Sequence, residues 1–77
     1  MTRPELIALI EELLEKDAGT LEGPETLEDN GWDSLSVVSF IALIDEHLEY
    51  TVPPKRLAAC KTVDDLVSLV ADRLAPV

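Results

Sequence analysis

Apolar side chains recur along this sequence in three long stretches and one short one, each with helical rather than alternating spacing. Leu6, Ile7, Leu9, Ile10, Leu13 and Leu14 repeat at the intervals that gather side chains on one side of a helix. The spacing predicts a first helix from Pro4 to about Lys16. Thr2 and Glu5 stand in capping-box register before it, and Pro4 is tolerated in a first turn, where its missing donor has no intrahelical partner to lose. Asp17-Ala18-Gly19 leaves the pattern, and Gly19 offers backbone angles that end a helix cheaply.

Residues 20–32 form a connector. Gly23-Pro24 opposes a continuous helix, Asn30-Gly31 has turn chemistry, and Leu21 and Leu27 are the side chains expected to pin the segment down. A connector this long in a small chain is unusual unless it is anchored or positions something. The second helix is expected to begin after Asp33, which can cap its free amides, and to run to about Leu48. Leu35, Val38, Ile41, Ala42 and Leu48 describe its expected core stripe. Val37, Phe40, Leu43 and Ile44 widen that stripe until the helix is either central to a bundle or leaves apolar surface for a partner or cargo.

Pro54 can open a brief helix through Lys55, Arg56 and Leu57, ending near Ala59 or Cys60. Thr62 starts the last one, with Asp65 in capping-box position and Val63, Leu66, Val67, Leu69, Val70 and Leu74 as apolar contacts. Arg73 falls at its negative end and Pro76 limits its extension. The β-prone residues 50–52 have no alternating partner segment. The fold class is therefore all-α: a four-helix bundle with three longer helices and one short helix.

Size and charge narrow the function. Seventy-seven residues make one small domain with a thin core, poorly suited to enclosing a catalytic pocket. The formal net charge is −10, and the imbalance lies mainly in residues 1–33, with ten acids and two bases. Such a surface repels nucleic acid and anionic membranes and suits partners with basic docking faces. The single cysteine precludes an intrachain disulfide and fits a reducing compartment. The start, Met1 to Glu5, has no signal-peptide core, and the longest apolar run, Phe40 to Ile44, is too short to span a bilayer. A cytoplasmic protein without stable membrane insertion is expected.

The candidate chemistry lies at Asp33-Ser34-Leu35. A serine at the first position of a helix is exposed and could carry a covalently attached group, and the free amides and positive dipole end there favour negative charge. Ser34 has no sequence-local histidine base and no nucleophile elbow, so it is not read as a hydrolytic nucleophile. The sole histidine, His47, lies far along the same helix, and no carboxylates are constrained enough to nominate a catalytic pair. No catalytic residue is assigned, and no metal site is expected in the isolated protein.

The stretch Gly31-Trp32-Asp33-Ser34-Leu35, followed by Val37-Val38, Phe40-Ile41-Ala42-Leu43, Val52-Pro53 and Thr62-Val63-Asp64-Asp65-Leu66, resembles the acyl carrier protein family over most of the chain. The resemblance implies that Ser34 receives 4'-phosphopantetheine through a phosphodiester, with an acyl group held as a thioester on the arm's distal thiol. It implies that Asp33 helps organise the metal used in the complex with the phosphopantetheinyl transferase, and that Leu35 is a transferase-recognition residue. A tether of this kind raises the effective concentration of its cargo at whichever enzyme is docked. The protein then needs no general base or oxyanion machinery of its own.

The resemblance also assigns partner docking to the face from Trp32 along the second helix: Ser36, Val37 and Val38, then Asp45 and Glu46, with Lys55 and Arg56 on the short helix. Ser36 and Ser39 stand where many fatty-acid-synthesis carriers have acids, so recognition is expected to rely more on packing near Ser34. Trp32 is expected either to pack on the connector or to anchor a partner. Phe40, Leu57 and Cys60 are core residues on spacing alone, and the resemblance makes them candidate linings of an acyl cleft. Cys60 reads as a buried small hydrophobe, and the transferable thiol as belonging to the cofactor.

The expected protein is a free-standing, monomeric, cytoplasmic acyl carrier domain over residues 1–77, not an enzyme. It would serve acyl-loading, condensing or acyl-transfer enzymes of fatty acid, polyketide or related secondary metabolism. An aminoacyl or peptidyl carrier and a noncatalytic interaction protein of the same fold are the alternatives.

Overall fold

The computed structural model describes residues 1–75; Pro76 and its expected helix-limiting role lie outside the described residues. Four α-helices form: α1 (Arg3–Leu13), α2 (Ser34–Leu48), α3 (Pro54–Ala58) and α4 (Val63–Leu69), with 3₁₀ turns at Glu28–Asn30 and Ala71–Arg73. Helix α1 packs on α2 and α4, and α3 on α4. Among the described residues, β pairing is confined to one isolated antiparallel bridge, Thr26 with Thr62.

Both capping boxes form. The Thr2 hydroxyl accepts from the Glu5 amide while the Glu5 side chain accepts from the Thr2 amide, and Thr62 and Asp65 repeat the arrangement. The helix ends depart from expectation. Helix α1 stops at Leu13, short of Lys16, because Glu15 takes the left-handed region at φ 58°. The amides of Glu15 and Lys16 then bond back to the Glu12 and Glu11 carbonyls at 3.1 and 2.7 Å, a Schellman closure made without glycine. Gly19 serves the connector instead. Helix α4 likewise ends at Leu69 and tightens into the 3₁₀ turn. Arg73 lies in the last turn of that 3₁₀ segment, at the C-terminal end expected of it, and places its guanidinium carbon 4.0 Å from the centre of the Tyr50 ring, a cation–π contact.

The core is one cluster drawn from every helix and from the connector. Leu6 and Ile10 of α1, Phe40 and Ile44 of α2, Leu57 of α3, and Val63 and Leu66 of α4 are buried with Leu21, Leu27 and Val52. Helix α2 is phased differently from the expected stripe. Ser36, Phe40 and Ile44 face inward, whereas Leu35, Val38 and Ala42 face water. The outward three are also consistent with one face, at about 100° per residue, which is why spacing alone picked them out.

The connector is anchored more firmly than its sequence suggests. Its backbone runs beside the α3–α4 junction, with the Leu27 amide donating to the Lys61 carbonyl, Val63 to Glu25 and Asp64 to Gly23, at 2.8 to 3.1 Å. Gly23 has φ 139°, and a β-carbon there would collide with the Asp64 carboxylate and come within 2.8 Å of the Arg3 guanidinium. Arg3 Nη2 meets Asp64 Oδ1 at 2.7 Å over this point. Both side chains are substantially exposed, so the pair contributes at most about 1 kcal/mol.

Glu11 is the second anchor, one that spacing did not single out. Only 4 % of it is exposed, and its Oε2 accepts from the Gly19 and Leu21 amides at 2.9 and 3.0 Å. A carboxylate here replaces the water those amides lose. Glu11→Ala should cost about 1–3 kcal/mol, the penalty of an unsatisfied buried donor, and Glu11→Gln, which keeps an acceptor oxygen, should cost less. Urea denaturation of the two variants measures this; equal stability of wild type and Glu11→Ala would refute the anchoring role.

Candidate functional site

The site is a helix start held in place by the connector. Asp33 adopts an extended backbone (φ −140°, ψ −171°) and its carbonyl accepts the first helical bond from Val37 at 3.1 Å. Its Oδ1 accepts from the Ser36 amide at 2.9 Å and from the Ser36 hydroxyl at 3.1 Å. Upstream, the Leu27 carbonyl accepts from both Asn30 and Trp32 amides, and Gly31 takes φ 85° to turn the chain into α2. Trp32 is half-buried, with its ring 6.0 Å from that of Phe40 in an edge-to-face arrangement. Its ring contact is therefore with α2, which ties the site to the core, and part of the side chain stays exposed.

Ser34 is left exposed at the first position of α2. Its hydroxyl makes no hydrogen bond among the described residues, in contrast with Ser36, whose hydroxyl is committed to Asp33 and which is only 7 % exposed. Of the two, Ser34 has the accessible oxygen. The first-turn amides beside it lack intrahelical acceptors, the local environment that suits a phosphodiester. This chain's own geometry therefore fits a phosphopantetheine arm.

The Ser36 amide, and next its hydroxyl, hold the Asp33 carboxyl below its ordinary value. Glu5, Glu25 and Asp65 are lowered in the same way, chiefly by the Thr2 hydroxyl, the Gly23 amide and the Lys61 amide respectively. A carboxyl depressed by folding adds stability that is complete above its unfolded pKa and is lost as pH falls through the lower folded value. Acid unfolding should accordingly set in below the ordinary carboxylate range of about 4. Asp33→Asn, which caps without titrating, should make that part of the curve flatter. Circular dichroism against pH checks this; an unchanged slope would remove Asp33 from the linkage.

The other predicted positions separate into distinct surroundings. Leu35 and Val38 are the large exposed apolar side chains, at 73 % and 63 %, one turn apart and next to Ser34. Val37 is half-buried, and Ser36 is inside, so it is not part of an exposed docking face. Asp45 and Glu46 are exposed farther along α2, and Lys55 and Arg56 are exposed on α3. Phe40 and Leu57 are fully buried in packed core, while Cys60 is half-buried and borders two surface hollows, one beside Arg56 and Leu69 and the other beside Trp32 and Lys61. Burial, and next the nearby Asp65 charge, push the Cys60 thiol up, away from the thiolate form that acts as a nucleophile.

Two hollows missed by the sequence reading flank the site. One, of about 220 Å³, is bounded by Asp33, Leu35, Ser36 and Ser39 with the end of α1; the next, of about 270 Å³, lies between Leu9, Leu13, Ser39 and Leu43. Leu35, Ser39 and Leu43 are spaced by four, a signal present in the sequence but hidden by the apolar breadth of α2. Among the described residues no three metal-ligating side chains cluster, and no helix is long and apolar enough to cross a membrane.

The family model described as phosphopantetheine attachment site matches residues 4–70, from the first turn of α1 to the end of α4. Comparison with curated proteins and with solved structures gave no match. Members of this family are carriers rather than catalysts, and the four-helix fold is the one the resemblance implied. With most of its length matched, the chain belongs to the phosphopantetheine-attachment family, the acyl carrier proteins.

Proposed function

We propose that this chain is a single carrier domain over residues 1–77 with Ser34 as its attachment residue, and that it delivers acyl thioesters to enzymes of fatty acid, polyketide or related secondary metabolism. One observation carries the assignment to Ser34: its hydroxyl is exposed and uncommitted at the start of α2, while Ser36 is tied to Asp33. A phosphopantetheinyl transferase would bring coenzyme A to this oxygen. The hydroxyl proton leaves as the Ser34 oxygen bonds to phosphorus, and the adenosine bisphosphate portion of coenzyme A departs. Asp33, whose carboxyl is held below its ordinary value by the Ser36 amide, would help hold the transferase's metal.

Leu35 and Val38 give the transferase and the later acyl-loading, condensing or acyl-transfer enzymes an apolar contact beside the reacting oxygen. Asp45 and Glu46 favour basic partner surfaces, and Lys55 and Arg56 restrict which ones fit. Docking thus combines a small apolar anchor with charge-guided orientation in a cytoplasmic, monomeric carrier. Incubation with a broad-specificity transferase and coenzyme A should add one phosphopantetheinyl group, seen by intact-mass spectrometry. An unchanged mass under conditions that fully modify a control carrier would overturn the proposal.

A further inference from the structure

Helix α2 begins with its capping pair reversed. At α1 and α4 a threonine caps the helix and an acid stands three residues on, Thr2 with Glu5 and Thr62 with Asp65. At α2 the acid, Asp33, is the cap, and the hydroxyl residue, Ser36, stands three on. The exchange puts a carboxylate next to Ser34 and a hydroxyl inside. Ser36 is buried on the inward face with Phe40 and Ile44, so the core fixes where its side chain stands. A serine within a helix can turn its proton back to the carbonyl one turn earlier. Here the proton goes to Asp33 Oδ1 at 3.1 Å, the oxygen that the Ser36 amide already reaches at 2.9 Å. Both bonds fall on one oxygen. Asp33 Oδ2 takes no hydrogen bond among the described residues, and the residue as a whole is exposed.

We propose that Ser36 is a positioning residue for the loading of Ser34: its hydroxyl fixes the Asp33 carboxylate with Oδ1 bound inward and Oδ2 left for the cation of the transferase complex. The proposal rests on the reading of Ser34 as the attachment residue and of Asp33 as a contact of that cation. One exposed carboxylate oxygen outside the internal bonding fits the task, since magnesium is commonly held by one or two carboxylates together with substrate phosphates, here those of coenzyme A. The amide alone would hold Oδ1 at a single point and leave the carboxylate plane free to turn. A second bond, from a residue locked in the core, removes that freedom before the partner arrives. Ser36 itself is inside the bundle and acts only through Asp33.

Loading kinetics with a broad-specificity transferase and coenzyme A, over a range of magnesium concentrations, test this beside a measurement in which no transfer occurs. In the second, manganese is titrated into the transferase, coenzyme A and a carrier bearing Ser34→Ala, and free manganese is read by electron paramagnetic resonance. Ser36→Ala should lower kcat/KM and weaken manganese binding by about ten-fold, the lower end of the losses that follow removal of a partner to a metal ligand. Helicity should stay unchanged, because the backbone amide at position 36 still reaches the Asp33 cap. Adding Ser36→Ala to Asp33→Asn should cost little further, since residues that act through one another are not additive. Ser36→Thr should load faster than Ser36→Val, which has the same shape without the hydroxyl. Unchanged manganese affinity in Ser36→Ala, losses that add in full to those of Asp33→Asn, or equal rates for Ser36→Thr and Ser36→Val would each overturn the positioning role while leaving attachment at Ser34 intact. A wild-type protein that gains no mass refutes the attachment reading itself, and the role of Ser36 falls with it.

Discussion

Ser34→Ala will abolish phosphopantetheinylation while leaving the fold unchanged. The substitution removes the one oxygen that is both exposed and free of internal hydrogen bonds at the start of α2. Nothing in the core depends on it. Alanine is a better helix former than serine, and substitutions at exposed positions without special contacts usually change stability by less than about 0.5 kcal/mol. The Asp33 cap bonds to Ser36, not Ser34, so it survives the change. Intact-mass analysis should therefore show no gain in the variant under conditions that convert wild type fully, with matching far-ultraviolet circular dichroism. A retained gain, mapped by peptide fragmentation to Ser36 or Ser39, would move the attachment point and undo the reading of Ser36 as a cap partner.

The sequence made the site legible because the features that build it are local. Asp33 caps α2 through a bond to a residue three positions on, and both capping boxes close over the same short span. Such patterns need no knowledge of the rest of the fold. Leu21 and Leu27, placed as pins of the connector on apolarity alone, are indeed buried. What escaped was decided by distant contacts. The pairing of residues 23–27 with 61–64 is a backbone event with no side-chain signature, and Glu11 reads as an ordinary surface acid until Gly19 and Leu21 are seen folded over it.

The phase of α2 is the most instructive miss. Leu35, Val38 and Ala42 make as regular an apolar stripe as Ser36, Phe40 and Ile44, and the second set even includes a serine. Burial of Ser36 is acceptable only because Asp33 satisfies its hydroxyl, a compensation invisible to a count of hydrophobic positions. The consequence is functional. A helix phased on the more apolar stripe would have hidden Leu35 and Val38, whereas the real phase leaves them exposed near Ser34, where the docking contact proposed above would meet them. The same rotation sets Ser39 and Leu43 beside α1, where they border the two hollows near the site.

Phe40→Ala should be the most damaging single core substitution for both fold and site. Phe40 is fully buried and its ring meets Trp32 edge to face, so it joins the core to the segment that precedes Asp33. Truncating a buried phenylalanine costs about 3–5 kcal/mol from lost burial and the cavity left behind. A 77-residue chain holds only about 4–12 kcal/mol in total, at 0.05–0.15 kcal/mol per residue, so the variant should lose at least about a quarter of its stability and unfold outright at the low end of that range. Phe40→Leu, which keeps most of the volume, should retain most of the stability. Trp32 reports the change directly: its emission should move to the red and the urea midpoint should fall steeply in the alanine variant. Loading of Ser34 should decline only in proportion to the folded fraction, since Phe40 touches neither the hydroxyl nor the cap. If Phe40 instead lined an acyl cleft, truncation would leave stability nearly intact and let longer acyl chains into the interior. A stable Phe40→Ala protein whose long-chain acyl forms contact Leu57 would therefore replace the packed-core account with the cleft.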